Sequence, residues 1–187
     1  MFLAGMTRPD FIQQPGTLDV CIRYGRGVEE NDGHALVGYL DSHWVDDAET
    51  RKSVTGYVLL VNQSPIAWRS KLQSSVTLSS SEAERTAMVQ GMRHCLHIRG
   101  ILGEMGLKQD ATPWFCDNRG AIQAAAFTGF NRRTRHLDTK LQCSRDYIEK
   151  QLCTVQYAST TKQRADIFTR RLRKSSILEL IDPILAR

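Results

Sequence analysis

Val54-Thr55-Gly56-Tyr57-Val58-Leu59-Leu60-Val61-Asn62 is an apolar, β-branched run, and Asn62-Gln63-Ser64-Pro65 turns it into Ile66-Ala67-Trp68-Arg69. Two such runs around one short turn predict antiparallel neighbours. Working back, Ala35-Leu36-Val37-Gly38-Tyr39-Leu40-Asp41 predicts a third strand of the same meander. Working forward, Ser79-Ser80-Ser81-Glu82 is a capping box, with Ser79 as N-cap and Glu82 at the third helical position. The helix it opens is expected to run to about Met105 and stop near Gly106. Ala87, Met88, Gly91, Cys95, Ile98, Leu102 and Met105, three and four apart, form its apolar stripe.

Beyond Gly106 strands and helices alternate. A strand is expected at Thr112–Asp117, a helix from Asn118 to about Phe127, and another from about Thr134 to Lys150. A strand at Cys153–Ala158 and a basic helix at about Lys162–Leu172 follow. Strands joined through helices lie parallel by right-handed crossovers. The sum is an α/β fold, a mixed five-stranded sheet with helices packed on it. The domain is expected over 35–174, behind an irregular arm at 1–34 with one short strand near Val20-Cys21-Ile22. A tail at 175–187 carries a short amphipathic helix ended by Pro183.

The 187 residues suit one domain, and 41% hydrophobic content supports a real core. The five cysteines are odd in number and contain no C-x-x-C pair, which argues against a zinc site and for a reducing compartment. No run approaches a membrane span or a signal peptide. These features point to an intracellular setting, cytoplasmic or nuclear, without membrane contact. The net charge is +5, but residues 131–174 hold twelve Lys/Arg against four Asp/Glu. Such a local excess favours a polyanionic partner.

Four acids stand at element ends: Asp41, Glu84, Asp117 and Asp166. Carboxylates crowd together only where a cation neutralises them, so their convergence predicts a divalent-metal site. Helical phase selects Glu84 over Glu82. Glu84 precedes Ala87 and Met88 by three and four residues and continues the buried stripe, whereas Glu82 already serves the capping box. An ion on an apolar face requires compensation.

These residues resemble a known family. Gly38-Tyr39-Leu40-Asp41-Ser42-His43-Trp44, Thr50-Arg51-Lys52-Ser53-Val54-Thr55-Gly56-Tyr57 and Leu78-Ser79-Ser80-Ser81-Glu82-Ala83-Glu84 are similar to ordered motifs of copia-type LTR retrotransposon ribonuclease H domains. So are Phe115-Cys116-Asp117-Asn118-Arg119-Gly120-Ala121-Ile122, Arg133-Thr134-Arg135-His136-Leu137-Asp138 and Arg164-Ala165-Asp166-Ile167-Phe168-Thr169. Thr7-Arg8-Pro9-Asp10 resembles the end of the preceding reverse transcriptase region. The resemblance implies a ribonuclease H-like fold within a Pol polyprotein. It implies an endonuclease that cuts the RNA strand of RNA–DNA hybrids, with Asp41, Glu84, Asp117 and Asp166 as catalytic and metal-binding residues for two Mg²⁺ ions, or Mn²⁺ in their place. Asn118, Arg132, Arg133, Arg135, His136 and Lys140 are the expected nucleic-acid contacts, and a reverse transcriptase domain is the expected partner. His43, Arg85 and the histidine-free loop Tyr157–Lys162 depart from the family pattern. They keep open the alternative of a decayed or repurposed copy that binds nucleic acid or protein without catalysis. Arg170-Arg171-Leu172-Arg173 also resembles the host-entry motif of oomycete secreted effectors.

Overall fold

The computed structural model describes residues 21–22, 35–44, 50–126, 135–170, 172–181 and 185–186. The strands are β1 (Cys21–Ile22), β2 (Leu36–His43), β3 (Val54–Val61), β4 (Ser64–Leu72), β5 (Thr112–Cys116), β6 (Cys153–Tyr157) and β7 (Leu185–Ala186). The helices are α1 (Ser80–Glu104), α2 (Arg119–Ala126), α3 (Arg135–Glu149) and α4 (Lys174–Ile181). Two 3₁₀ turns, Thr160–Lys162 and Arg164–Phe168, separate β6 from α4. Apart from Cys21–Ile22, the arm read at 1–34 lies outside the described residues, as does Pro183.

The main sheet has the order β4-β3-β2-β5-β6. β2 and β4 flank β3 antiparallel, whereas β2, β5 and β6 run parallel. The mixed five-stranded sheet is therefore the one expected. The parallel pairing of β2 and β5 brings the ends of both strands to one edge. β1 and β7 pair separately, Cys21 with Ala186 and Ile22 with Leu185.

The hairpin between β3 and β4 is tighter than expected. Asn62 and Gln63 both take positive φ, 48° and 63°, the conformation of a two-residue hairpin loop. Ser64 and Pro65 therefore belong to β4, not to the turn. Pro65 is tolerated there because β4 is an edge strand and its pairing with β3 shifts register beside it, between Leu59 and Leu60.

One core layer lies under α1. Met88, Met92 and Cys95 of α1 and Ala121 and Ala125 of α2 pack with Leu36, Leu40, Tyr57, Leu59 and Trp114 of the sheet. Trp114 is fully buried between two glycines. A Cβ on Gly38 would stand 2.5 Å from its Cδ2, and one on Gly91 2.7 Å from its Cη2. The close approach of α1 to the sheet therefore depends on both positions. On the opposite face Val58 and Leu60 pack with Ile167, Phe168, Ile177 and Leu180.

Serine 79 caps α1 as expected, its Oγ accepting from the Glu82 amide at 3.2 Å. Glu82 reaches back to the Leu78 amide at 2.8 Å. A Schellman motif closes the helix, with Gly106 at φ +81° and Leu107 N bonded to Leu102 O at 2.8 Å. Met105 is 67% exposed and does not belong to the buried stripe.

The expected helix at Lys162–Leu172 is replaced by the two 3₁₀ turns. Gln163 breaks it, with extended backbone at φ −78° and ψ 94°. Its side chain is fully buried and used inside the sheet, a tertiary demand that overrides helical propensity.

Candidate metal centre

Asp41 lies near the end of β2, and Asp117 directly follows β5. Asp166 comes from the turn Arg164–Phe168, and Glu84 from the first turns of α1. Carboxylate oxygens of Asp41, Asp117 and Asp166 lie within 4.8 Å of one another. That span is close to the about 4–5 Å across the oxygen shell of a magnesium- or calcium-sized cation. Glu84 stands behind this triad, in hydrogen-bonding reach of Asp41. Asp41, Glu84 and Asp166 are only 4%, 3% and 2% exposed, so water screens little of their mutual repulsion.

The electrostatics follow. Burial, then the Asp41 charge, raises the Asp166 carboxyl from its ordinary 3.8 to about 7. Burial and Asp41 also push Glu84 well above the ordinary carboxylate range. Asp117 is raised by the same two causes, in the same order. Asp41 is thus the charge felt most strongly by each of the other three acids. The Cys116 thiol, buried beside Glu84, is pushed far up and stays protonated. It lies 3.8 Å from Glu84 Oε2 as a weak donor.

Each carboxylate is oriented by a neighbour. The Ser42 amide donates to Glu84 Oε1 at 3.1 Å. Thr169 Oγ1 donates to Asp41 Oδ2, and Thr160 Oγ1 donates to Asp117 Oδ2 at 3.0 Å. Arg170 pairs with Asp166 Oδ2, while Asp166 Oδ1 is buried with no hydrogen-bond partner. An orphaned buried carboxylate oxygen beside two other acids fits a cation.

Gln163 supports the floor of the site. Its Nε2 donates to Leu40 O at 3.0 Å and to Phe115 O at 3.3 Å, tying β2 to β5 just before Asp41 and Asp117. Its Oε1 accepts from Ala165 N at 3.3 Å. Sequence reading missed Gln163, Thr160 and Arg170 as supports. Thr169 sits inside a quoted motif, but nothing there marked it as Asp41's partner. A polar run immediately before Asp166 was the available signal for Thr160 and Gln163.

The expected nucleic-acid contacts are placed unevenly. Asn118 Oδ1 accepts from Ala121 N at 3.0 Å and caps α2. Arg132 and Arg133 lie outside the described residues. So do the side chains of Arg135, His136 and Lys140, whose backbone forms the start of α3. Part of the basic excess is used internally: Arg170 on Asp166, Arg164 over the Tyr39 ring and Arg145 on Ala124 O. Trp44 is 46% exposed and donates to Thr77 O at 3.2 Å. Trp68 is partly buried against the Val58–Phe168 core on the sheet face opposite α1.

No protein-family model matches the chain. It is 29% identical over 191 residues to the retrovirus-related Pol polyprotein from transposon TNT 1-94 of Nicotiana tabacum, covering 91% of this chain and 14% of that protein. It is 29% identical over 154 residues to the Pol polyprotein from transposon RE1 of Arabidopsis thaliana, covering 82% of this chain and 10% of that protein. It is also 33% identical over 118 residues to secreted RxLR effector protein 161 of Plasmopara viticola, covering 51% of this chain and 83% of that protein. Solved structures share the fold. The N-terminal ribonuclease H domain of Rv2228c from Mycobacterium tuberculosis superposes with a TM-score of 0.53 at 10% identity, over 73% of this chain and 91% of that one. LC11-RNase H1, isolated from compost, superposes with 0.54 at 11% identity, over 73% and 93%.

The homologues are Pol polyproteins of plant copia-type transposons, and the fold is that of ribonuclease H domains.

The chain spans only about a seventh or less of the Pol polyproteins it matches. Among its described residues no helix is long and apolar enough to cross a membrane. Arg170, within the Arg-Arg-Leu-Arg tetrapeptide, is committed to Asp166.

Proposed function

We propose that the domain is a divalent-metal-dependent endonuclease that cuts the RNA strand of RNA–DNA hybrids. The observation that carries this reading is the convergence of three aspartates around a buried, unpartnered Asp166 oxygen, with Glu84 beside Asp41. Asp41, Asp117 and Asp166 would hold one ion, and Glu84 with Asp41 a second; all donors are oxygens, which suits Mg²⁺ and admits Mn²⁺. When bound, such ions supply a polarised water and neutralise charge on a phosphodiester undergoing displacement.

The chain's own residues do the rest. Thr169, Ser42 and Thr160 aim three of the carboxylates. Arg170 offsets part of the charge at Asp166, and Gln163 fixes the spacing of the two strand ends. The Pol relatives suggest a natural setting beside a reverse transcriptase domain. The basic start of α3 and Asn118 are the proposed hybrid contacts.

The test is cleavage of a labelled RNA–DNA hybrid by purified protein with Mg²⁺, in parallel with Asp117→Asn. Cleavage that disappears in the variant and in chelator supports the reading. Cation binding by calorimetry without any cleavage assigns the chain to the non-catalytic alternative, which His43 and Arg85 in the family motifs favour.

A further inference from the structure

A second charged surface lies away from the acids. A groove of about 1040 Å³ runs between the middle of α1 and the edge strand β4. Arg69 and Lys71, two apart on β4, form one wall, and Arg93, His94 and His97, spaced as one face of α1, form the other. Tyr57 is the floor, its hydroxyl 3.0 Å from His94 Nδ1. Among the described residues no Asp or Glu lines the groove. Lys71, Arg93 and His97 are exposed, while Arg69 and His94 are half-buried. Burial first, then the charge of His97 on the same helix and that of Arg69 on the facing strand, hold His94 below its ordinary value. Like charges held on two facing walls are costly unless an anion lies between them.

The groove shares its sheet with the acidic centre. Ser42, Thr55 and Lys71 stand in register across β2, β3 and β4, and Ser42 follows Asp41. Lys71 is therefore two strand spacings, about 10 Å, from the acid-bearing strand. Cations on both walls, with an exposed histidine on the helix, suit the phosphate backbone of a single strand, which such charged grooves track.

We infer that this groove receives the phosphates of a single nucleic-acid strand extending beyond the hybrid held at the acids. The inference rests on the domain handling nucleic acid but not on its cutting it. The test is fluorescence anisotropy in chelator, with the full chain and two labelled hybrids, one blunt and one with a single-stranded overhang of about 10 nucleotides, within the known site sizes of such grooves. The overhang hybrid is expected to bind about 10-fold tighter. Arg69→Gln/Arg93→Gln should abolish that difference, leave the blunt affinity in place and reduce the salt slope by about 1.4, since each lost phosphate contact removes about 0.7.

Equal affinities in the wild type, or a preference that survives the double variant, would overturn the inference. A protein partner for the groove would give that result. Lys71→Gln/His97→Gln alters only exposed side chains and serves as the second variant should the first lose its helical signal. Failure of the nuclease reading is distinguishable: the wild type would then not cleave with Mg²⁺, while the overhang preference and its loss would remain.

Discussion

Thr169 donates its hydroxyl to Asp41 Oδ2 although 128 residues separate them in sequence. The contact needs Gly56, which pairs with Asp41 across β2 and β3. A Cβ on Gly56 would collide with Thr169 Cγ2 and stand 3.0 Å from Phe168 Cβ. Asp41 therefore owes its orientation to a hydroxyl from the far end of the domain and to an empty space on the neighbouring strand.

Thr169→Val keeps the shape and removes the donor. Supports of metal-binding carboxylates typically contribute about 10–100-fold in metal affinity or activity, and a loss in that range is expected. Gly56→Ala should reproduce it by displacing Thr169. Calorimetric titration with Mg²⁺ or Mn²⁺ reads both; unchanged affinity in both variants would mean that Thr169 does not position Asp41.

The acids also set a pH dependence. Asp166, raised to about 7, binds its proton more tightly in the folded protein than in the unfolded chain, where 3.8 applies. Glu84 and Asp117 are raised too. Unfolding is therefore favoured by deprotonation, and the contribution is lost as pH rises from about 4 through 7. In chelator, the thermal midpoint should be higher at pH 5.5 than at pH 8, and divalent cation should restore it at pH 8. A chelated protein equally stable at both values would count against the crowded cluster.

Glu84→Gln removes one of the crowded charges. The metal-free variant is expected to be more stable than wild type at pH 8, with weaker cation binding and less cleavage. Denaturant unfolding in chelator checks the first part, and the hybrid assay checks the second. A variant less stable than wild type would show that the Ser42 amide bond to Glu84 outweighs the repulsion.

Gln163→Ala leaves the carbonyls of Leu40 and Phe115 without their shared donor, a side chain that is itself fully buried. Each unsatisfied buried group costs about 1–3 kcal/mol, so a loss of about 3 kcal/mol is expected. Urea denaturation measures it. A loss below about 1 kcal/mol would mean that water replaces the amide.

Gly38→Ala drives a methyl into the Trp114 ring. Overpacking of this kind costs about 1–3 kcal/mol. Because Trp114 also touches Gly91 on α1, the shift should reach Glu84 and weaken cation binding as well. Stability loss with unaltered binding would confine the effect to the core.

The order of the elements was legible because its signals are local. The apolar run at Val54, the capping box at Ser79 and the return of short strands between helices each depend on neighbours in sequence. The choice of Glu84 was legible because helical phase is regular over α1. What could not be read were features decided by distant partners. Gln163 interrupts a helix-like stretch because two carbonyls 123 and 48 residues away take its amide. Asn62-Gln63 makes a tight hairpin without glycine, so the sequence does not mark Ser64 and Pro65 as strand residues. The basic excess in 131–174 was countable, but the use of Arg145, Arg164 and Arg170 inside the fold was not.

The late position of the 3₁₀ turn Arg164–Phe168 has a consequence during synthesis. Asp41, Glu84 and Asp117 emerge from the ribosome well before Asp166, Thr169 and Arg170. A message broken or stopped before that turn yields a sheet that carries three acids and lacks its closing element. Under the proposed function, such shortened products would be inert toward RNA, so the order of the acids along the chain makes the domain its own test of complete translation.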